Sequence, residues 1–313
     1  MSLGRITVFG GSGFIGRCLV ERLVVDGATT RVGVRHPESA VFTPPPGAKG
    51  SIEMVQANLR DDAAVCAAVN NADSVINLVG ILYETKGQTF ATIHEEGARR
   101  VATAAKKARV ERLIHMSALG ASRTSPSEYA RSKAAGEQAV REIFPEATIV
   151  RPSVVFGPGD DFFNRFAAMV LLSPALPLIG GGKTRFQPVY VNDVVEAFMA
   201  ILADPKTRGH TYELGGPSIY TFRQLMELLL AEIDRKRLLL PLPFFVAEIQ
   251  GALLQVLPRP PLTRDQVKLL KADNVVSGTE ATFAELGIEP TPLEAVLSSY
   301  VNKYRRGLEQ RKP

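Results

Sequence analysis

The amino-acid sequence predicts an α/β fold, a doubly wound parallel sheet followed by a smaller, irregular C-terminal part. In the first half of the 313 residues, short apolar runs alternate with segments of helical periodicity. A glycine-rich turn joins the first apolar run to the first helical segment. Beyond Arg151 the chain is instead divided by prolines and glycines. The content of apolar residues, 45%, is sufficient for a large buried core.

The order of the predicted elements defines the sheet. The predicted strands are Ile6–Phe9, Thr30–Val34, Ile52–Val55, Ser74–Val79, Arg112–Ser117 and Ala147–Arg151. The predicted helices between them are Phe14–Asp26, Asp61–Asn70, Glu95–Arg109 and Glu128–Phe144. Regular alternation of this kind indicates right-handed strand-helix-strand units, and therefore a parallel sheet with helices on both faces.

Composition excludes several classes of protein. The net charge of +5 is spread without a basic stripe that alternates with aromatic residues, so we expect no nucleic-acid partner. Four scattered histidines and two isolated cysteines lack ligand spacing, so no metal is expected. No uncharged apolar run reaches the roughly 18 residues of a membrane span, and the first predicted strand begins too early for a signal peptide. We expect a cytoplasmic protein.

The turn from Gly10 to Gly16 is the clearest functional pattern. A glycine-rich turn between a strand and a helix is typical of Rossmann-type folds that bind dinucleotides. Gly10 permits the tight turn, Gly13 lets backbone amides approach a pyrophosphate, and Gly16 allows the helix to pack closely. The residues expected around the phosphates at the helix N-terminus are Gly10, Ser12, Gly13, Phe14, Ile15 and Gly16.

The end of the second predicted strand indicates which dinucleotide is bound. Folds specific for NAD usually place an acidic residue there, whereas this chain has Val34-Arg35-His36. Arginine cannot accept hydrogen bonds from ribose hydroxyls, but it can pair with a 2′-phosphate. We therefore expect NADP(H) in preference to NAD(H), with Arg17 as a second positive charge. The alternative for Arg35 is a solvated charge at a strand end.

Tyr129 and Lys133 are four residues apart, on one face of a predicted helix. A nearby cation favours the phenolate form of a tyrosine, so the pair resembles an acid-base couple. Ser117, at the end of the preceding strand, is a candidate to hydrogen-bond a substrate oxygen. Two alternatives stay open: the pair is catalytic, or Lys133 binds the ribose and Tyr129 lines the nicotinamide pocket.

The change in the character of the sequence after Arg151 suggests two domains. We expect a dinucleotide-binding domain over residues 1–153, to which residues 187–215 return, with a strand and a helix between Gln187 and Asp204. Residues 154–186 and 216–313 are expected to form a smaller substrate-side domain. Within it, the apolar segment from Leu238 to Leu257 is expected to pack in the core, although an amphipathic surface for a partner or a bilayer is the alternative.

The chain resembles the short-chain dehydrogenase/reductase superfamily, and within it the extended branch of NAD-dependent epimerase/dehydratase-like proteins. The matching blocks are the glycine turn, Asn77-Leu78-Val79-Gly80, Tyr129 to Lys133, Arg151-Pro152-Ser153, Phe156-Gly157-Pro158, and Gln187 to Asp193. The resemblance implies that Val79, Gly80 and Pro152 line the nucleotide. Asn58 and Leu59 stand where adenine is commonly contacted, and the usual run of hydroxyl residues is reduced to Ser117-Ala118-Leu119.

The C-terminal blocks Pro261 to Val267 and Asp273 to Val276 are similar to a narrower group, the nucleotide-binding accessory subunit of respiratory complex I and its bacterial relatives. That resemblance implies a tightly held NADPH, complex I subunits as partners, and a peripheral position at the inner face of the cytoplasmic membrane. The alternative is a free NADP-dependent reductase, dehydrogenase or epimerase that acts on a small carbonyl, sugar-nucleotide or quinone-related substrate through Tyr129 and Lys133.

Overall fold

The computed structural model describes residues 3–39 and 42–306, so the last residues of the predicted C-terminal domain lie outside the described part. The strands are β1 (Arg5–Phe9), β2 (Thr29–Val34), β3 (Ser51–Gln56), β4 (Ser74–Asn77), β5 (Arg112–Met116), β6 (Thr148–Pro152), β7 (Val155–Phe156), β8 (Ala175–Ile179), β9 (Arg185–Phe186), β10 (Val189–Tyr190), β11 (Thr211–Leu214), β12 (Tyr220–Thr221) and β13 (Leu238–Leu242). The helices are α1 (Phe14–Val25), α2 (Asp62–Val69), α3 (Gly97–Lys107), α4 (Glu128–Ile143), α5 (Phe163–Leu172), α6 (Val191–Ala203), α7 (Phe222–Glu232), α8 (Phe244–Leu254), α9 (Arg264–Leu269) and α10 (Leu293–Val301).

Seven strands form the main sheet in the order β11-β6-β5-β4-β1-β2-β3, and every neighbouring pair is parallel. The predicted fold class is therefore confirmed. β1 lies between β2 and β4, so the strand order reverses at this point, and Phe9 stands opposite Asn77 where the two strands end. Crevices of this kind, outside the carboxyl ends of parallel strands, are where ligands bind in open α/β sheets.

Both faces of the sheet are covered, as parallel sheets require. Successive side chains of a strand point to opposite faces, so Val8 packs with α1 and α6, whereas Phe9 packs with α2, α3 and α4. By the same alternation Ile114 belongs to the first layer and Leu113 to the second. His115 and Ser117 follow Leu113 at intervals of two, which places them on the face that α4 covers.

The segment before α3 differs from its prediction. A helix was expected from Glu95, but a π-helical segment, Ala91–Glu96, precedes α3 and leads directly into it. π-helical turns are uncommon and are frequently found at functional sites. The wider turn contains His94, whose side chain is buried.

The C-terminal part has its own apolar core, formed mainly by α5, α7 and α10 together with β8. The predicted strand near Gln187 does not join the main sheet, because β10 pairs with β7 in a separate two-stranded sheet. The chain returns to the sheet through α6, which packs against α1, and through β11, which pairs with β6.

The expected core packing of the apolar segment from Leu238 to Leu257 is wrong for much of α8. Only Ala247 and Gly251 of this helix are buried. Three large apolar side chains of the helix are exposed, Phe245 (67%), Ile249 (60%) and Leu253 (70%). Val256, two residues after the helix ends, is exposed as well (81%). We call these four residues the α8 face. Within residues 3–39 and 42–306, no helix combines the length and apolarity needed to cross a bilayer.

Candidate functional site

The candidate site lies at the carboxyl ends of β1 and β4. Gly10 has a φ of +79°, a conformation that a residue with a side chain adopts only at a cost. A Cβ atom at Gly10 would stand 3.1 Å from the carbonyl carbon of Leu78 and from the nitrogen of Val79. The glycine turn and the loop after β4 are therefore in direct backbone contact.

The first turn of α1 can receive an anionic group. Gly13 is the N-cap of α1, so no side chain caps the helix, and its first turn holds no acidic residue. Gly13 is exposed, and a Cβ there would meet only the Gly10 carbonyl oxygen, at 3.3 Å. A Cβ at Gly16 would instead lie 2.2 Å from that oxygen. The helix can pack this closely on the turn because Gly16 has no side chain. The uncapped amides fit a diphosphate.

Arg35 and Arg17 differ in their surroundings. Arg35 directly follows β2, is exposed, and has no ion-pair partner within the described part of the chain. Arg17 is engaged, because its Nε donates a hydrogen bond of 3.0 Å to the Ser12 carbonyl oxygen. The guanidinium carbon of Arg17 also lies 5.3 Å from the ring centroid of Phe42. Of the two, Arg35 is the one free to pair with an added phosphate.

Asn58 and Leu59 follow β3 at the same edge of the sheet. The Asn58 Oδ1 atom accepts the backbone N–H of Arg60 at 3.1 Å and approaches its Nε at 3.4 Å. Leu59 is buried beside Gly97, where a Cβ would lie 3.2 Å from a Leu59 methyl carbon. An incoming hydrogen-bond donor, such as an adenine amino group, would therefore share Oδ1 with Arg60.

Val79 and Gly80 lead from β4 toward α4. The N–H of Val79 donates to Oδ1 of Asn77 at 3.1 Å, which shapes the loop. Gly80 is exposed, and a Cβ there would stand 3.0 Å from the ammonium nitrogen of Lys133. The loop, the glycine turn and α4 thus meet around one space.

Lys133 is buried against β5, where its ammonium donates a hydrogen bond of 3.3 Å to the Met116 carbonyl oxygen. Burial lowers the pKa of Lys133 to about 8, although Glu137 opposes the shift. Burial raises the pKa of Tyr129 to about 12. This direction is opposite to the one expected from a nearby Lys133, because burial desolvates the phenolate and the ammonium lies 5.9 Å from the ring centroid.

Ser117 and Pro152 lie at the ends of neighbouring strands. The N–H of Ser117 donates to the Val150 carbonyl oxygen at 2.7 Å, and the N–H of Leu119 donates to that of Pro152 at 3.1 Å. The Ser117 hydroxyl is buried and has no hydrogen-bond partner among the described residues. A buried hydroxyl without a partner is costly, so Ser117 is the polar group at these strand ends whose hydrogen bonding is incomplete.

His94 belongs to this site, although the sequence indicated only a scattered histidine. Its ring lies 5.4 Å from that of Tyr129 with the planes nearly perpendicular, and Phe90 packs against both rings. The Nδ1 atom of His94 lies 2.8 Å from the Ser132 hydroxyl oxygen. Phe90, His94 and Tyr129 thus form an aromatic wall beside Lys133. No local pattern predicts it, since the histidine and the tyrosine are on different helical segments.

Within the part of the chain that the structure describes, no three His, Cys, Asp or Glu side chains gather as metal ligands. The site offers an uncapped helix end, a buried ammonium, a phenol, and an arginine and a hydroxyl that have no partner among the described residues. Arg35 follows β2, the glycine turn follows β1 and Ser117 follows β5, so these groups lie along the carboxyl edge of one parallel sheet.

Comparison with known proteins agrees with this geometry. The model of the NAD dependent epimerase/dehydratase family matches residues 6–215. The chain is 37% identical over 313 aligned residues to the Arabidopsis thaliana mitochondrial protein NADH dehydrogenase (ubiquinone) 1 alpha subcomplex subunit 9, covering 96% of this chain and 78% of that one.

A second relative is an enzyme. The chain is 33% identical over 202 residues to the ceramide reductase of Caulobacter vibrioides, which covers 64% of this chain and 62% of that one. Among solved structures, the UDP-glucose 4-epimerase of Thermus thermophilus in complex with NAD superposes with a TM-score of 0.72. Their sequences are 20% identical over 97% of this chain and 99% of that one, so this likeness supports the fold alone.

Proposed function

Because this chain belongs to the NAD dependent epimerase/dehydratase family, we propose that it binds a dinucleotide in the crevice between β1 and β4. The observation that carries the proposal is the uncapped first turn of α1 at the point where the strand order reverses. The phosphates would lie on this turn, the adenine near Asn58 and Leu59, and the nicotinamide between Val79, Gly80, Tyr129, Lys133 and Pro152.

NADP(H) is the preferred form in this proposal. Arg35 follows β2, where the adenine ribose would lie, and it is exposed without an ion-pair partner among the described residues. A guanidinium pairs well with a 2′-phosphate, whereas it cannot accept hydrogen bonds from the ribose hydroxyls of NAD(H) as an acidic residue would. Isothermal titration of the purified protein with NADPH and with NADH tests this preference. Tighter binding of NADPH is expected, and equal affinities would contradict it.

We further propose that the protein is an accessory or assembly subunit of respiratory complex I, in which the nucleotide is a structural element. Similarity over 96% of the chain to a subunit of NADH dehydrogenase supports this role. The reduced run of hydroxyl residues after β5, Ser117-Ala118-Leu119, also supports this role.

The α8 face is the proposed contact with the membrane-embedded part of that complex, which would place the protein at the inner face of the cytoplasmic membrane. The one charged residue of α8, Glu248, pairs with Lys271 at 2.6 Å and with Arg264 at 4.0 Å, so cationic side chains border the apolar row. Isolated apolar residues are normal on protein surfaces, but a contiguous row of them marks an interaction site.

Purification of the tagged protein from its native host in mild detergent tests the role. Complex I subunits are expected to co-elute, and NADP(H) is expected in the supernatant after denaturation. Ile249→Glu should abolish co-elution without loss of the nucleotide. Gln255→Glu, which adds the same charge at an exposed polar position, is the matched control. Recovery of the protein without complex I subunits would contradict the proposal.

A free NADP-dependent reductase, dehydrogenase or epimerase is the second candidate, favoured by the placement of Lys133 beside Tyr129 and by the similarity to a ceramide reductase. The nucleotide would supply the hydride. Tyr129, as a phenol, would donate a proton to the substrate oxygen, and Lys133 would orient the ribose. The substrate would be a small carbonyl, sugar-nucleotide or quinone-related compound.

One variant separates the two candidates. Tyr129→Phe removes the proton donor and keeps the aromatic wall. If the protein is an accessory subunit, respiratory activity in cells should be unchanged by Tyr129→Phe. If it is an enzyme, NADPH oxidation with an aldehyde, ketone or quinone should be measurable in the wild type and lost in the variant.

A further inference from the structure

A short helix from the C-terminal part of the chain caps the helix that carries Tyr129 and Lys133. Asp265, near the start of α9, accepts three hydrogen bonds at the N-terminus of α4. Its Oδ2 atom accepts from the Ser127 hydroxyl at 2.7 Å and from the Tyr129 N–H at 3.0 Å. Its Oδ1 atom accepts from the Glu128 N–H at 2.7 Å. One carboxylate thus satisfies two of the free amides at the start of α4, including that of Tyr129 itself.

These bonds hold the first turn of α4 more firmly than its own cap does. The Ser127 hydroxyl accepts from the Ala130 N–H at 3.3 Å, a long bond for an N-cap. Hydrogen bonds to a charged acceptor are shorter and stronger, and a carboxylate at a helix N-terminus is also favoured by the helix dipole. The position of the Tyr129 backbone therefore depends on a residue 136 positions away in the chain.

Asp265 is itself fixed by α8. Thr263 and Gln266 form a capping box at the start of α9, which orients the first turn. A Cβ at Gly251 would lie 2.8 Å from the nitrogen of Arg264, so the backbones of α8 and α9 touch. Val267 of α9 is buried against Ala247 of α8. The two helices form one hairpin, and the α8 face lies on its outer side.

We propose that Asp265 is a positioning residue for the nicotinamide end of the nucleotide site, through which nucleotide binding and the packing of the α8–α9 hairpin stabilise each other. This inference rests on the proposed dinucleotide site. A nucleotide that contacts Tyr129 and Lys133 favours the position of α4 that Asp265 also favours, and such coupling between two sites is reciprocal. The hairpin that carries the α8 face is thereby ordered by the bound nucleotide.

An ordinary helix cap would behave differently, because loss of a cap lowers stability without distinguishing one end of a ligand from the other. Two ligands make this distinction. NADPH reaches both ends of the site, whereas adenosine 2′,5′-bisphosphate reproduces only the adenine half and does not extend to Tyr129. A defect in positioning weakens the first ligand alone, and a defect in folding weakens both.

The experiment uses the full chain with Asp265→Ala and Asp265→Asn. Thr221→Ala, which removes the capping box of α7, is the matched control. Binding of NADPH is followed by its own fluorescence, which is convenient because the chain has no tryptophan. Asp265→Ala should weaken NADPH about tenfold and change its emission maximum, while adenosine 2′,5′-bisphosphate binds as in the wild type. Asp265→Asn, whose amide oxygen can still accept from Ser127 and Tyr129, should restore part of the affinity.

Hydrogen exchange measures the other side of the coupling. Saturating NADPH should increase protection of residues 244–270 in the wild type and in Thr221→Ala, and it should not do so in Asp265→Ala. Binding of NADPH to the wild type without added protection there, or equal weakening of both ligands by Asp265→Ala, would overturn the positioning role and leave the dinucleotide site intact. Absence of any dinucleotide binding by the wild type would overturn both.

Discussion

The backbone N–H of Ile81 donates a hydrogen bond of 3.0 Å to Nε2 of His94. Since Nε2 accepts this bond, the ring proton is on Nδ1, which donates to the Ser132 hydroxyl oxygen 2.8 Å away. Ser132 in turn donates to the Tyr129 carbonyl oxygen at 2.7 Å. A neutral histidine therefore links the loop after β4 to the helix that carries the candidate catalytic pair.

Acid should weaken the fold through this histidine and its neighbour. Burial, with Lys133 adding repulsion, lowers the pKa of His94 to about 2 and that of His115 to about 3. Between those values and about 6.5 the unfolded chain binds more protons than the folded one, so stability falls as the pH falls through this range. The cost is roughly 1 kcal/mol per pH unit for each histidine. Urea unfolding between pH 7 and pH 4 measures it.

The contribution of His94 is isolated by comparison of variants. His94→Gln keeps a hydrogen-bonding side chain that does not titrate, so its stability should fall less steeply with acid than that of the wild type. His210→Gln, at an exposed position, should follow the wild type. Parallel curves for the wild type and His94→Gln would contradict a neutral, buried His94.

Two glycine substitutions should separate folding from nucleotide binding. Gly16→Ala places a Cβ 2.2 Å from the Gly10 carbonyl oxygen and 2.6 Å from the Gly11 Cα, so the free energy of unfolding should fall by about 1–3 kcal/mol. Gly13→Ala meets only one atom, at 3.3 Å, and should fold normally. Its methyl group would stand where the diphosphate is proposed, so NADPH affinity should fall at least about tenfold, or about 1.4 kcal/mol. Unfolding curves and titrations on the same preparations test both effects, and undiminished affinity of Gly13→Ala would exclude the turn as the phosphate site.

Arg35→Ser should change which nucleotide is preferred. Loss of a charge-assisted contact to the 2′-phosphate should cost about 1.5–3 kcal/mol of NADPH binding, while NADH affinity stays the same. Lys206→Ser removes the same charge from an exposed position next to β11, at the other end of the sheet, and should alter neither. Calorimetric titration with each nucleotide gives the comparison. Equal losses for NADPH and NADH would place Arg35 elsewhere than at the 2′-phosphate.

Arg151 should be required for stability. It pairs with buried Glu137 at 2.7 Å and with buried Glu213 at 3.4 Å. Removing one partner of a buried pair leaves an uncompensated charge, so Arg151→Met should lower the free energy of unfolding by about 3–5 kcal/mol. Arg185→Met breaks an exposed pair with Asp273 and should cost less than about 1 kcal/mol. Urea unfolding of both variants checks the contrast, and similar losses for the two would contradict it.

Much of the N-terminal half of the chain could be predicted because its signals are local. β1 and α1 follow from an apolar run and a helical period on either side of the glycine turn, and each predicted bound there lies within one residue of the observed one. The strand with which the chain returns to the main sheet was harder to predict. The run near Gln187 has the composition of a strand, but it pairs with β7, and β11 takes the place beside β6. Short apolar segments do not specify their partners.

The parallel sheet, the glycine turn at its centre and the arginine after β2 could be predicted from the sequence, since each depends on residues close together in the chain. The raised pKa of Tyr129, the cap that Asp265 forms on its helix and the exposure of the α8 face follow from the tertiary structure alone. The physical reason is that desolvation and capping depend on groups brought together from distant parts of the chain. Asp265 and Ser127 are 138 residues apart, and no local period or propensity relates them.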